Sequence, residues 1–273
     1  MTSFRSLHIG LNAVDEDSYG TSGPLRACEA DAASMAAVAE ARGAQSTSLI
    51  TRAATCDAVV REIARAAEDL AAGDLFLLTY SGHGGQVPDV NDEESDDLDE
   101  TWCLFDSQLR DDDINACLAL FAEGVRVLML SDSCHSGSVN KDLAFARDSR
   151  LGGRSPAPKR LPLESTDKEF QLHLANYRTR LGCSKTAIKA TGALISGCRD
   201  DQESKDGDVN GAFTSAFLTA WDKGRFAGDH RQLHESIVNI LWERHFEQEP
   251  QITGISDDDV SFAQFLAQPP LRP

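Results

Sequence analysis

Two side chains in this sequence are placed to do covalent chemistry, Cys134 and His83. A thiol becomes a nucleophile when its pKa is lowered and a base takes its proton; a nearby imidazole does both. Free cysteine is usually a small buried hydrophobe. Cys134 differs because Ser133 and His135 flank it, where the apolar run Val125 to Leu130 turns polar. His83 lies 51 residues upstream, in Ser81-Gly82-His83-Gly84-Gly85, directly after the apolar run Leu75 to Tyr80. His135 is adjacent in sequence, but alternation along an extended chain points it away. Gly84 has no side chain to obstruct its N–H, which with that of Cys134 could hold an oxyanion.

That chemistry needs two neighbouring strands to end in a His and a Cys. Val125 to Leu130 and Leu75 to Tyr80 both read as strands buried on two faces of a parallel sheet. Their carboxyl ends are where ligands collect in open α/β folds. The rest of the chain supports this. Phe4 to Leu11 reads as a first strand and Asp15 to Gly23 as a loop. Pro24 opens a helix that stops at Gly43, Ser46 to Ile50 is a second strand, and Thr55 starts a helix ending near Gly73. Strand and helix alternate, which predicts a parallel sheet covered on both faces. Asp89 to Glu100 is an acidic loop, Thr101 to Phe105 a short strand or hairpin arm, and Asp111 to Asp113 the first turn of another helix. From Asn140 to about Ala190 the alternation fails, around GGRSPAPKRLP, although Thr166 to Leu181 suits a helix with a Thr166–Glu169 capping box. Ala193 to Cys198 resumes as a strand. Helices Ala212 to Lys223 and Leu233 to Phe246 follow, and then the strand-like QITGI.

The chain has 273 residues and a formal net charge of −18, which argues against nucleic acid or an anionic membrane as partner. Basic peptide segments are the better match. Seven cysteines without CxxC spacing argue against a disulfide framework or a structural zinc site. The sequence shows no signal peptide and no apolar run long enough to span a membrane, so the expectation is a cytoplasmic protein, taken as a monomer.

SGHGG at Ser81–Gly85, the loop DEESDDLDE, DSCHSG at Asp132–Gly137 and ISGCRDDQ at Ile195–Gln202 together resemble a metacaspase, a caspase-related cysteine peptidase. The resemblance runs from the first strand to NGAFTSAFL at Asn210–Leu218. A His about 50 residues before the Cys fits caspases as well. It implies a caspase-like α/β fold, with a mostly parallel central sheet of about six strands and helices on both faces. It also implies one peptidase domain over residues 1–273, with a large-subunit-like portion at 1–139, a linker at 140–190 and a small-subunit-like portion at 191–273. The implied activity is cleavage after Arg or Lys by a Cys134–His83 dyad. Because residues two apart on a strand share a face, Asp132 lies beside Cys134 and Ser81 beside His83, lining a pocket. The resemblance completes that pocket with Cys28 and Asp31 of LRACEADA, and two carboxylates there would select a cationic side chain. It also implies calcium, with Asp99, Asp112 and Asp113 as ligands of the hard-oxygen kind that Ca²⁺ takes. The family's further ligand, an Asp seven residues after the nucleophile, is replaced here by Lys141. No cofactor is needed for the chemistry itself.

Rival readings are an idle caspase-like scaffold, a calcium-responsive regulatory module and a related peptidase of other specificity. Intact His83 and Cys134 speak against the first. The linker adds one expectation. Its basic residues lie in a Pro- and Gly-rich stretch of the kind proteases nick, so processing is expected between Arg147 and Arg160, with Arg147, Arg150, Arg154, Lys159 and Arg160 as candidates.

Overall fold

The computed structural model describes residues 2–88, 98–134, 158–180, 187–199, 202, 204–256 and 258–272. Its strands, in chain order, are β1 (Phe4–Gly10), β2 (Gln45–Ile50), β3 (Leu75–Ser81), β4 (Gly84–Pro88) and β5 (Leu98–Cys103), then β6 (Gln108–Arg110), β7 (Arg126–Asp132), β8 (Thr191–Ser196) and β9 (Gln251–Gly254). Six of them form one sheet in the order β2-β1-β3-β7-β8-β9. Its first five members run parallel and β9 closes the edge antiparallel. The two central strands are the two apolar runs: β3 is buried throughout and β7 everywhere except Arg126. A strand with no polar face must be covered on both sides.

Helices pack on both faces; in chain order the α-helices are α1 (Glu16–Tyr19), α2 (Cys28–Glu40), α3 (Cys56–Asp69), α4 (Asp111–Leu118), α5 (Leu163–Arg180), α6 (Ala212–Trp221), α7 (His230–Glu243) and α8 (Asp259–Leu266), of which α1 and α5 pack on each other and α5 on β4 rather than on the central strands. On one face Leu78, Val127 and Met129 meet Val59 and Ile63 of α3 and Ile114 and Leu118 of α4. On the other, Leu77, Leu128 and Leu130 meet Met35 of α2, Phe213 and Phe217 of α6 and Leu233 and Ile237 of α7. The alternation of strand side chains divides one apolar run between two cores.

Four sequence expectations need amending. The stretch read as a loop at Asp15 to Gly23 contains α1, which Asp15 caps through its side chain. The stretch after His83 is not only a turn, because Gly84–Pro88 starts an antiparallel three-stranded sheet, β4-β5-β6. The helix expected from Pro24 begins only at Cys28, because the Asp206 carboxylate takes the N–H groups of Arg26 and Ala27. Helix α5 starts at Leu163 rather than Thr166. Thr166 is one turn inside it, its hydroxyl donating to the Leu163 carbonyl, so the expected capping box is not the start. Among the described residues no helix is long and apolar enough to cross a membrane, and the six described cysteines are free thiols.

Candidate active site

Ser81 and Asp132 stand in register as the last residues of neighbouring parallel strands β3 and β7. Two residues beyond each come His83 and Cys134. The chain leaves the sheet in a fixed way there. Tyr80 stacks on Trp102, with ring centroids 4.5 Å apart, and its hydroxyl donates to the carbonyls of His83 (2.6 Å) and Cys103 (3.1 Å). Trp102 Nε1 donates to Ser131 Oγ at 3.0 Å, and that hydroxyl meets Ser133 Oγ at 3.0 Å. One polar chain on the far side of the sheet thus ties the His83 turn to the Cys134 turn.

His83 Nε2 lies 2.8 Å from the Gly23 carbonyl. A carbonyl only accepts, so Nε2 carries the proton and Nδ1 keeps its lone pair. That Nδ1 is buried on the side of the ring where the Arg160 main chain lies. Burial pushes His83 down to about 4, with the Gly23 carbonyl and the Asp206 carboxylate opposing it, so the ring is neutral near pH 7. The Cys134 thiol is buried and engages Ser204, donating to its carbonyl at 3.3 Å and accepting from its N–H.

Asp132, Ser81, Asp31 and Cys28, the residues expected to line a pocket, lie around one side chain of the chain itself, Lys159. Lys159 Nζ sits 2.8 Å from Asp132 Oδ2, 3.0 Å from Asp31 Oδ2 and 2.8 Å from Ser81 Oγ. The Lys159 side chain is 0% exposed. Its Nζ is therefore fully satisfied, with three acceptors for three protons. Burial alone would depress this ammonium, yet Asp132, Cys28 and Asp31 hold it well above its ordinary value. Cys28 is a buried thiol pushed up to about 12 by desolvation, so it lines the pocket as a neutral group.

The main chain around Lys159 is extended. Its N–H donates to the Ser204 carbonyl at 3.0 Å, and its carbonyl accepts from Gly84 N (3.0 Å) and Cys134 N (3.1 Å). Those two amides are the expected oxyanion donors. The Lys159 carbonyl thus occupies the position where negative charge would develop during acyl transfer.

Several residues that build this site were given no role by the sequence, although Asn210, Gly211 and Thr214 lie in the NGAFTSAFL stretch. Asn210 Nδ2 and Gly211 N donate to Asp31 Oδ1 at 3.0 and 2.9 Å. Thr214 Oγ1 donates to Asp132 Oδ2 at 3.2 Å, and Ser204 Oγ donates to Asp132 Oδ1. Gly211 must lack a side chain, because a Cβ there would stand 2.4 Å from Lys159 Nζ and 2.6 Å from Asp132 Oδ2. Gly23 acts on His83, and Ser204 on Cys134 and Lys159, through main-chain atoms, which residue type does not reveal.

The expected calcium ligands do not form an open oxygen cage. Arg110, 2% exposed in its side chain, lies between them, with Nη1 3.4 Å from Asp99 Oδ2, Nη2 3.0 Å from Asp113 Oδ1 and Nε 3.2 Å from Asp113 Oδ2. Asp112 adds its field to the same guanidinium. Among the described residues no His, Cys, Asp and Glu group has metal-holding geometry. A cation is already supplied there by the protein. His135, Lys141, Arg147, Arg150 and Arg154 lie outside the described residues, whereas Lys159 and Arg160 lie inside.

Comparison with known proteins gives a consistent result. A family model described as "Caspase domain" matches residues 7–260. Metacaspase-1 of Arabidopsis thaliana is 33% identical over 182 residues, covering 62% of this chain and 44% of that protein. Metacaspase-1 of Meyerozyma guilliermondii is 26% identical over 299 aligned residues, covering 94% of this chain and 70% of that protein. The match therefore spans less than half of the Arabidopsis relative. A crystal structure of a Geobacter sulfurreducens protein has TM-score 0.84 and 42% identity, covering 98% of each chain. Caspase-1 of Spodoptera frugiperda has TM-score 0.54 and 13% identity, covering 92% of this chain and 85% of that one, and so supports the fold alone. The chain belongs to the caspase family, and within it is metacaspase-like.

Proposed function

We propose that the chain is a cysteine endopeptidase that cuts after Lys or Arg, with Cys134 as nucleophile and His83 as base. The observation that carries this reading is Lys159, whose ammonium sits between Asp31 and Asp132 while its carbonyl rests on the amides of Gly84 and Cys134. A substrate's basic side chain takes the place of Lys159 Nζ. His83 Nδ1 accepts the thiol proton, and the sulfur adds to the carbonyl carbon. The two amides hold the resulting oxyanion. His83 returns the proton to the leaving amine as the peptide bond breaks, then activates the water that releases the acyl group. Two fixed carboxylates favour guanidinium and ammonium alike and repel an acidic residue.

The same geometry makes Lys159–Arg160 the bond expected for processing within the stretch up to Arg160. The chemistry is carried by thiol, imidazole and amides. The trio Asp99, Asp112 and Asp113 is assigned to holding Arg110, and a calcium requirement is not part of the reading. Cleavage-site profiling on a peptide library, with and without calcium, tests it. Cuts after Lys and Arg, abolished in Cys134→Ala and in His83→Ala, are expected. A preference for Asp or Asn before the scissile bond would refute the pocket.

A further inference from the structure

The chain beyond Lys159 continues through the cleft on the side that a leaving peptide would occupy. Arg160 pairs as a parallel bridge with Gly84, and Leu161 N donates to the Gly84 carbonyl at 3.2 Å. Gly84 thus reads the peptide twice, donating to the Lys159 carbonyl and accepting from the amide two residues later. Leu161, 3% exposed, packs with Val14, Tyr19 and Cys103, each no more exposed than itself. Tyr19 presents only its ring there, because its hydroxyl donates to the Leu104 carbonyl at 3.0 Å. Burial holds the Cys103 thiol well above its ordinary value, so it is a neutral apolar wall. The floor is Gly23, in the left-handed region at φ +48, where a Cβ would meet Leu161 Cδ2 at 2.8 Å and His83 Nε2 at 3.0 Å. One glycine therefore both orients the base and opens an apolar recess beside it.

We infer that Val14, Tyr19, Gly23 and Cys103 form a primed-side specificity pocket for a branched aliphatic residue two positions after the scissile bond, occupied here by the chain's own Leu161. The inference rests on the proposed peptidase reading and narrows its substrates to basic–any–aliphatic sequences. Its reason is economy of recognition. The carboxylate pocket fixes one side of the bond and the apolar recess the other, so the bond between is held at both ends. Loss of a few methylenes from such a pocket reduces discrimination about ten- to a hundredfold.

Two assays separate this inference from the function it rests on. Processed enzyme is given quenched-fluorescence peptides identical except for Lys-Ala-Leu or Lys-Ala-Ser at the cleavage site. The Leu peptide should have a kcat/KM at least tenfold higher, and Val14→Ala should narrow the difference. Equal kcat/KM values would overturn the pocket while leaving the Lys/Arg reading intact. The second assay needs no turnover. Cys134→Ala carrying Lys159→Ala and Leu161→Ser has both subsites vacated, and should bind a labelled Pro-Lys-Ala-Leu peptide about tenfold more tightly than Pro-Lys-Ala-Ser. Equal binding of the two peptides would also overturn the inference, even for a protein that cuts nothing.

Discussion

Lys159 is the residue whose removal probes the site most sharply, and Lys159→Met in a Cys134→Ala background isolates its charge from any cleavage. The ammonium is fully buried, 2.8 Å and 3.0 Å from two carboxylates. At an effective dielectric of about 20, unit charges that close attract by about 6 kcal/mol per pair. Desolvation offsets much of that, and removing one member of a buried pair costs about 3–5 kcal/mol. Met keeps most of the aliphatic stem, so little packing is lost. For a chain of this size that cost corresponds to a fall in Tm of about 6–20 °C. Asp31 and Asp132 are then left facing each other, and one should retain a proton. Its folded pKa is raised, so the penalty is present above the ordinary carboxyl value and fades as pH falls below about 4. In Lys159→Ala, whose stem is removed, agmatine or n-butylamine should reoccupy the pocket and raise the Tm, while leaving the parent unchanged. Calorimetry across a titration of either amine reads this directly. Lys159→Met as stable as its parent, or Lys159→Ala indifferent to both amines, would refute the claim that this is a cation pocket.

Three further outcomes are expected. Gly211→Ala puts a methyl where Lys159 Nζ and Asp132 Oδ2 stand, and should lower kcat/KM on Lys and Arg peptides at least a hundredfold with the circular dichroism spectrum unchanged; unaltered kinetics would show that Gly211 does not bound the pocket. His8 is buried against Thr79 and pushed down to about 3, below its unfolded value of about 6.5. Its neutral form therefore supports folding fully above pH 6.5, and that support is lost as pH falls from there toward 3, at about 1.4 kcal/mol per unit. Urea unfolding at pH 7 and pH 5 should show about 2 kcal/mol more loss in the parent than in His8→Gln; equal losses would contradict this. Arg110→Met removes the internal cation from Asp99 and Asp113, and isothermal titration should then detect calcium binding much tighter than in the parent; tighter binding by the parent would restore those residues as metal ligands.

The residues with chemistry in their side chains are legible in the sequence. Strands β3 and β7 announce themselves by six-residue apolar runs, and His83, Cys134, Ser81 and Asp132 follow by counting past their ends. Asp31 and Cys28 come from resemblance, and both lie beside the Lys159 ammonium. What stays hidden acts through the main chain or through a displaced neighbour. Gly23 orients the base with a carbonyl that any residue type would carry. Ser204 uses its own N–H and C=O on the sulfur and on Lys159. Lys159 reads as one exposed cation in a basic linker, because nothing local distinguishes a lysine bound for a distant pocket. Arg110, which precedes three aspartates in the sequence, lies between Asp99 and Asp113, a placement no local pattern shows.

The central claim is that Cys134 is an acylating nucleophile served by a pocket for cationic side chains. The most direct measurement is covalent capture. Wild type and Lys159→Ala, in which the cleft is vacated, are treated with a peptidyl-lysine chloromethylketone and mapped by peptide mass. The expected result is one adduct, on Cys134, formed faster in Lys159→Ala, blocked by agmatine and not formed by the matching peptidyl-aspartate reagent. Labelling of another cysteine instead, or equal labelling by the aspartate reagent, would contradict it.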